Sequence, residues 1–182
     1  MKRQGETNEV ADVIAKRRER IAIRKGYVSL LIRLIVVIAA GYVLFTQVFL
    51  ITQTHGQGMF PALKDGDLAI VFRMQQLYAR EDVIAYQANG QRRFGRIVAR
   101  ATDVVTIDES GVLLVNGTPQ IGEILYPTYA KDGMEYPYRV PEGTVFVLGD
   151  YRTQTEDSRD FGPISLEEVE GKVITILRRR GI

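Results

Sequence analysis

The 182-residue sequence predicts a mainly β domain, a barrel or sandwich-like coil of short strands, following one N-terminal transmembrane helix. Three observations carry that expectation. Residues 34–51 form an apolar run of 18, interrupted only by the mild polarity of Thr46 and Gln47. About 130 residues follow it, enough for one core of its own. Within them, short runs rich in Val and Ile recur between turn signals, which is the pattern of a strand-built domain.

The chain divides into three stretches by charge. Residues 1–25 carry eight basic and four acidic side chains, and form a basic tail. Residues 26–51 hold Arg33 as their sole charge and form the anchor. As a helix the run 34–51 would reach about 27 Å, close to the hydrocarbon thickness of a bilayer. Arg33 lies near its start, where a long side chain can snorkel to the headgroups. A cleavable signal peptide is the competing reading, but its apolar region is usually shorter, about 7–15 residues. Cleavage at Ala39-Ala40-Gly41 would leave half the run behind, so an uncleaved single-pass anchor is expected. Lys16, Arg17, Arg18, Arg20, Arg24 and Lys25 mark the upstream side as cytoplasmic, which puts residues 52–182 outside the cell membrane. The basic run needs no nucleic acid partner. No aromatic is interleaved with it and a span follows at once, so attraction to anionic membrane lipids accounts for it.

In the outer stretch, residues 67–73, 82–86, 93–100 and 104–107 read as strands. Asp108-Glu109-Ser110-Gly111 is a hairpin turn between the last of these and a strand at 112–115, and Asn116-Gly117 is a second tight turn. Residues 144–148 and 172–177 are two further apolar strands, each preceded by Gly. Ser165 before Glu167 and Glu168 starts one short helical turn. Residues 126–138, rich in Tyr, Pro and Gly, read as a loop excursion.

Composition removes whole classes of chemistry. Hydrophobic residues at 46% and charged residues at 25% rule out wholesale disorder. The absence of Cys excludes disulfides, thiolate metal sites and thiol catalysis, and a lone His55 excludes sites needing two imidazoles. No metal and no cofactor is expected. The four Ser (Ser29, Ser110, Ser158, Ser165) and six Lys are also placed informatively: no Ser lies between Ser29 and Ser110, and no Lys between Lys64 and Lys131.

Three segments stand out. They are Gly56-Gln57-Gly58-Met59-Phe60-Pro61-Ala62-Leu63-Lys64-Asp65-Gly66-Asp67, then Gly95-Arg96-Ile97-Val98-Ala99-Arg100-Ala101-Thr102-Asp103, then Gly149-Asp150-Tyr151-Arg152-Thr153-Gln154-Thr155-Glu156-Asp157-Ser158-Arg159-Asp160-Phe161-Gly162. In order and spacing they resemble the Ser-Met-x-Pro, Lys-Arg-Val-Ile-Gly and Gly-Asp-Asn-Arg…Ser-x-Asp-Ser-Arg segments of type I signal peptidases of the Gram-positive kind. The resemblance implies a signal-peptidase-like β domain whose groove binds an extended peptide beside an open strand edge. It also implies that Gly58 stands at the position of the nucleophilic Ser and Gly95 at that of the general-base Lys. Tyr151 replaces the usual Asn, Thr155 stands where Ser is common, and Ala62 also departs from the family pattern. Gly56, Met59, Pro61, Arg96, Asp150, Asp157, Ser158 and Arg159 are the candidate groove and scaffold residues.

A Ser–Lys dyad needs a hydroxyl to attack and a desolvated amine to take its proton, and Gly supplies neither. Arg92, Arg93 and Arg96 cannot replace the base, because guanidinium stays protonated. Thr54 is four residues from Gly58 and would need a different local fold. His55 could act as a base but has no hydroxyl partner in the motif, so a surface or strand-edge role is expected. Asp150, Asp157 and Asp160 could suggest an aspartic dyad; structural ion pairs with Arg152 and Arg159 are expected instead. Lys64 sits in a polar turn and is expected to be solvated.

The pattern is that of a pseudoenzyme, most similar to the signal-peptidase-like SipA proteins of Gram-positive pilus assembly, which likewise lack the dyad. That resemblance implies a chaperone or scaffold binding pilin or another secreted polypeptide, with a pilus sortase as companion. The alternatives are an active peptidase with a non-standard nucleophile, such as His55 with Thr54 or a water, and a regulator of signal peptidase or sortase. If the groove is intact, Ser at 58 and Lys at 95 together are expected to regain weak cleavage.

Overall fold

The computed structural model describes residues 2–120 and 125–178. The chain divides after Thr46 into an N-terminal helical unit and a β unit. Helix α1 covers Lys2–Val48. Its Ile23–Val48 part, 26 residues with mean hydropathy 2.5, is long and apolar enough to cross a membrane, and none of its most apolar stretch is buried in the protein.

The expected apolar run ends differently. Phe49, Leu50 and Ile51 leave the helix and open strand β1 (Phe49–Gln53), antiparallel to β2 (Leu68–Phe72), with Phe49 opposite Phe72 and Ile51 opposite Ile70. Leu50 packs on a small core of Ala69, Val71 and Ala85. An apolar run alone does not separate helix from strand, and here the burial available against β2 decides.

The remaining strands are β3 (Val83–Ala88), β4 (Gln91–Arg100), β5 (Val104–Ile107), β6 (Leu113–Val115), β7 (Thr118–Pro119), β8 (Tyr138–Arg139), β9 (Thr144–Leu148), β10 (Ile164–Ser165) and β11 (Val169–Leu177). They form two antiparallel sheets, of seven strands in the order β1-β2-β11-β3-β4-β9-β10 and of four in the order β7-β6-β5-β8. The Asp108–Gly111 turn is held by the Asp108 carboxylate, which accepts from the Val112 N–H and the Ser110 hydroxyl. Asn116 and Gly117 both take positive φ (53° and 78°), the geometry that a two-residue hairpin requires between β6 and β7. The helical turn after Ser165 is a 3-10 turn at Leu166–Glu168, capped reciprocally by Ser165 and Glu168.

The run Thr144–Leu148 is apolar throughout because β9 has a core on each face. Val145 and Val147 pack with Ile84, Tyr86, Ile97 and Ile164, while Phe146 and Leu148 pack with Val105, Leu113, Val115 and Val140. Beside it, β4 reaches both cores through a register shift between Ile97 and Ala99: Ile97 joins the first, and Val98 and Ala99 join the second. Short helix α2 (Ser158–Phe161) follows β9 and is started by Asp157, whose side chain caps it.

Candidate functional site

The second edge of β4 positions the site. β3 pairs with Gln91–Arg96 of β4, but β9 joins β4 only from Arg96 onward. Gln91–Phe94 therefore keep one edge out of the sheet, and these residues line a cleft of about 410 Å³. Its other walls are the segment between β1 and β2, with Thr54, His55, Gly56, Gln57, Gly58, Met59 and Leu63, and the segment after β9, with Gln154, Thr155 and Glu156. The first and third sequence segments thus meet across the cleft, and the second begins at its lip, directly after Phe94.

Gly56, Gly58 and Met59 are cleft residues, whereas Pro61 does not line it. Gly58 presents its carbonyl to the Tyr151 N–H at 3.0 Å. A Cβ on Gly58 would stand 2.9 Å from Thr155 Oγ1, so the Thr155 hydroxyl occupies the flank where a residue-58 side chain would begin. Thr155 is the hydroxyl-bearing residue that the motif analysis marked only as a departure.

Gly95 is buried and lies beneath the lip of the cleft rather than in its lining. A Cβ there would meet Val147 Cγ1 at 2.3 Å and Tyr86 Cε1 at 3.2 Å. The space a side chain would need is filled by the core. A lysine at 95 would therefore require Val147 and Tyr86, both buried, to shift before it could enter the groove. The Tyr86 hydroxyl is pushed well above its ordinary range by burial and then by the Asp157 charge, so it stays neutral.

The carboxylates behind the cleft are held in ion pairs, with two changes of partner. Asp157 and Arg159 form the expected pair, each side chain 1% exposed. Asp157 accepts from Arg159 Nε and Nη2, both at 2.9 Å, and from the Gly149 N–H at 3.2 Å, while Arg159 also donates to the carbonyls of Tyr129 and Arg152. Asp150 is held by Arg96, not Arg152, through a two-pronged contact of 2.8 and 2.7 Å. Those bonds raise the Arg96 guanidinium above its ordinary value against the effect of burial. Arg152 instead donates to Thr128 Oγ1 and Gln120 Oε1 in a buried site. Burial brings it down to about 10, so it remains a cation at neutral pH. Asp160 takes Lys131 at 2.6 Å, and Lys131 also donates to the Thr155 carbonyl. That contact, with Tyr126 stacked on Tyr151 at 4.4 Å, ties the 126–138 excursion to the third segment without bringing it into the cleft lining. Ser158 is buried and donates no chemistry to the cleft; its Oγ accepts from the Val147 N–H at 2.9 Å.

Three other candidates are placed unambiguously. Thr54 is buried, and its hydroxyl sits between the carbonyls of Lys64 and Asp67, where it braces the turn. The Thr54 hydroxyl is thus engaged by two main-chain carbonyls, not by His55. His55 is exposed on the cleft rim. Lys64 is exposed, with its ammonium 5.8 Å above the Phe60 ring.

The family model described as signal peptidase, peptidase S26, matches residues 27–177. Signal peptidase I of Bacillus caldolyticus is 31% identical over 135 residues, covering 65% of this chain and 74% of that protein. Probable thylakoidal processing peptidase 2 of Arabidopsis thaliana is 32% identical over 129 residues, 64% of this chain but about a third (34%) of the longer plant protein. A crystal structure of a signal peptidase I from Enterococcus faecalis is 30% identical, with a TM-score of 0.44, over 55% of this chain and 98% of that one. Because the family match over residues 27–177 takes in most of the span, every wall of the cleft and the last strand, the chain belongs to the signal peptidase family, peptidase S26.

Proposed function

We propose that this protein is a membrane-anchored, signal-peptidase-like pseudoenzyme that binds a secreted polypeptide without cleaving it. In this reading it serves as a chaperone or scaffold for pilin in Gram-positive pilus assembly, beside a pilus sortase. The observation that carries the reading is the combination at Gly95: the open edge of β4 leads to a buried glycine whose side-chain space is taken by Val147. A peptide can still add along such an edge, since main-chain hydrogen bonds ask nothing of residue 95. A Ser–Lys mechanism can not run there, because Gly58 and Gly95 bring neither hydroxyl nor amine. The basic tail favours a cytoplasmic N-terminus, which places the β domain outside.

The relatives are named as peptidases, and one observation favours a second reading as a peptidase with a non-standard nucleophile. Thr155 Oγ1 flanks Gly58, and His55 lines the same cleft. Incubation of the detergent-solubilised full chain with pre-pilin and pre-protein substrates separates the two. The pseudoenzyme reading expects no cleavage and crosslinking of pilin to a probe placed beside Gly58. Cleavage that disappears in His55→Ala or Thr155→Val overturns it in favour of the peptidase. Capture of a signal peptidase or sortase in place of pilin overturns it in favour of a regulator.

A further inference from the structure

Arg92 and Arg93 are consecutive on the open part of β4, so their side chains leave it on opposite faces. Arg92 is engaged on both prongs: Nε and Nη2 donate to the Glu170 carboxylate, and Nη1 reaches Thr52. Arg93 is different. It shares a strand face with Gly95, two residues on, and its guanidinium lies 6.0 Å from the centre of the Phe161 ring. Its carboxylate partner is Glu156, through Nη2 at 2.7 Å, and its Nε is buried with no hydrogen-bond partner. Glu156 comes from another wall of the same cleft, and its side chain is 66% exposed against 23% for Arg93. The pair therefore spans the cleft with its cation set in and its anion in water.

Such a pair is replaceable. An ion pair with one partner in solvent holds weakly, whereas an arginine fork meeting a carboxylate end-on donates two parallel hydrogen bonds. We propose that Arg93 is a specificity-determining residue of the cleft: it reads a carboxylate on an extended polypeptide lying along the open edge of β4, and Glu156 is the internal stand-in which that carboxylate displaces. The proposal rests on the polypeptide-binding reading of the cleft. The rest of the lining is mixed: Gln57, Gln91 and Gln154 offer amides beside the apolar Met59, Leu63 and Phe94, and the charge of Arg92 is already answered by Glu170. Main-chain bonds along β4 would supply affinity, and Arg93 would supply the choice among sequences.

The test uses the full chain in detergent micelles and fluorescence anisotropy with three short synthetic peptides of one extended sequence. One carries a central Asp with both ends blocked, one a central Asn with both ends blocked, and one the Asn with a free C-terminal carboxylate. A carboxylate peptide is expected to bind roughly 10-fold more tightly than the blocked Asn peptide, and the stronger of the two identifies the source of the carboxylate as side chain or terminus. Arg93→Gln is expected to erase that preference, so that the carboxylate and blocked peptides bind alike. Glu156→Gln, an exposed substitution outside the core, is expected to raise carboxylate-peptide affinity roughly 3-fold by removing the internal competitor. Equal affinity of all three peptides for the unaltered protein overturns the role of Arg93 and leaves the polypeptide site standing. Failure of all three to bind overturns the underlying reading and this proposal with it.

Discussion

A methyl group on Gly149 would stand 2.5 Å from the carbonyl oxygen of Gly58, so the first and third motif segments meet backbone to backbone. The Tyr151 N–H donates to that same carbonyl, and the Gly149 N–H donates to Asp157. Gly149→Ala is expected to destabilise the domain by roughly 1–3 kcal/mol, the usual cost of overpacking, and to weaken any peptide binding in the cleft. Gly58→Ala should cost less, because its Cβ meets the Thr155 hydroxyl rather than main chain. Thermal unfolding of the two variants checks the order.

The obstruction at Gly95 makes its own prediction. Gly58→Ser with Gly95→Lys is expected to be destabilised and inactive against pre-protein substrates. Gly95→Ala with Val147→Ala should be less destabilised than the sum of the single changes, because the second removes the atom that the first collides with. A double-mutant cycle of unfolding midpoints measures that coupling, and strict additivity would show that Val147 is not the obstacle.

The buried and exposed ion pairs should part company. Asp157→Asn leaves the Arg159 guanidinium buried without its carboxylate, at an expected cost of about 3–5 kcal/mol. Lys131→Ala, whose pair with Asp160 is about one-third exposed on both sides, should cost no more than about 1 kcal/mol. Denaturant titration of both variants checks the contrast.

Glu170 predicts an acid dependence. Hydrogen bonds from Arg92, with help from Gln87 and against the effect of burial, hold its carboxyl below the ordinary range. Its value is lower folded than unfolded, so its contribution is complete above the unfolded value and is lost as pH falls through the folded one. The stability advantage of the unaltered chain over Glu170→Gln should therefore hold at neutral pH and shrink below about pH 4. Melting temperatures across that range measure it.

Orientation is directly measurable because the chain has no Cys of its own. Glu142→Cys, in an exposed turn before β9, is expected to react with a membrane-impermeant maleimide on intact cells. Arg20→Cys should react only after the membrane is opened. The reverse pattern would place the β domain inside.

What the sequence makes legible depends on how local its cause is. The bounds of β5 and β9 follow from apolar runs closed by turn residues, and the turn after Ser165 from its capping pair. β7, β8 and β10 are two-residue strands made by their partners, with no periodicity to read. Nothing in the apolar run separates Val48 from Phe49; the packing of Leu50 against Ala69 and Val71 does. That Arg159 holds a carboxylate of the third segment followed from the resemblance of that segment to the family's scaffold. Arg96 as the partner of Asp150, Lys131 as that of Asp160, and the filling of Gly95 by Val147 all depend on strand register between distant segments.

The place of β11 between β2 and β3 has a consequence for synthesis. The β1–β2 hairpin leads into one wall of the cleft and β4 forms another, yet β11 is the strand that joins the hairpin to the rest of the seven-stranded sheet. A growing chain makes these two walls early, and the strand that joins the hairpin to β3 comes only with residues 169–177. A chain lacking residues 169–177 would carry every cleft-lining residue without the strand that joins the β1–β2 hairpin to β3.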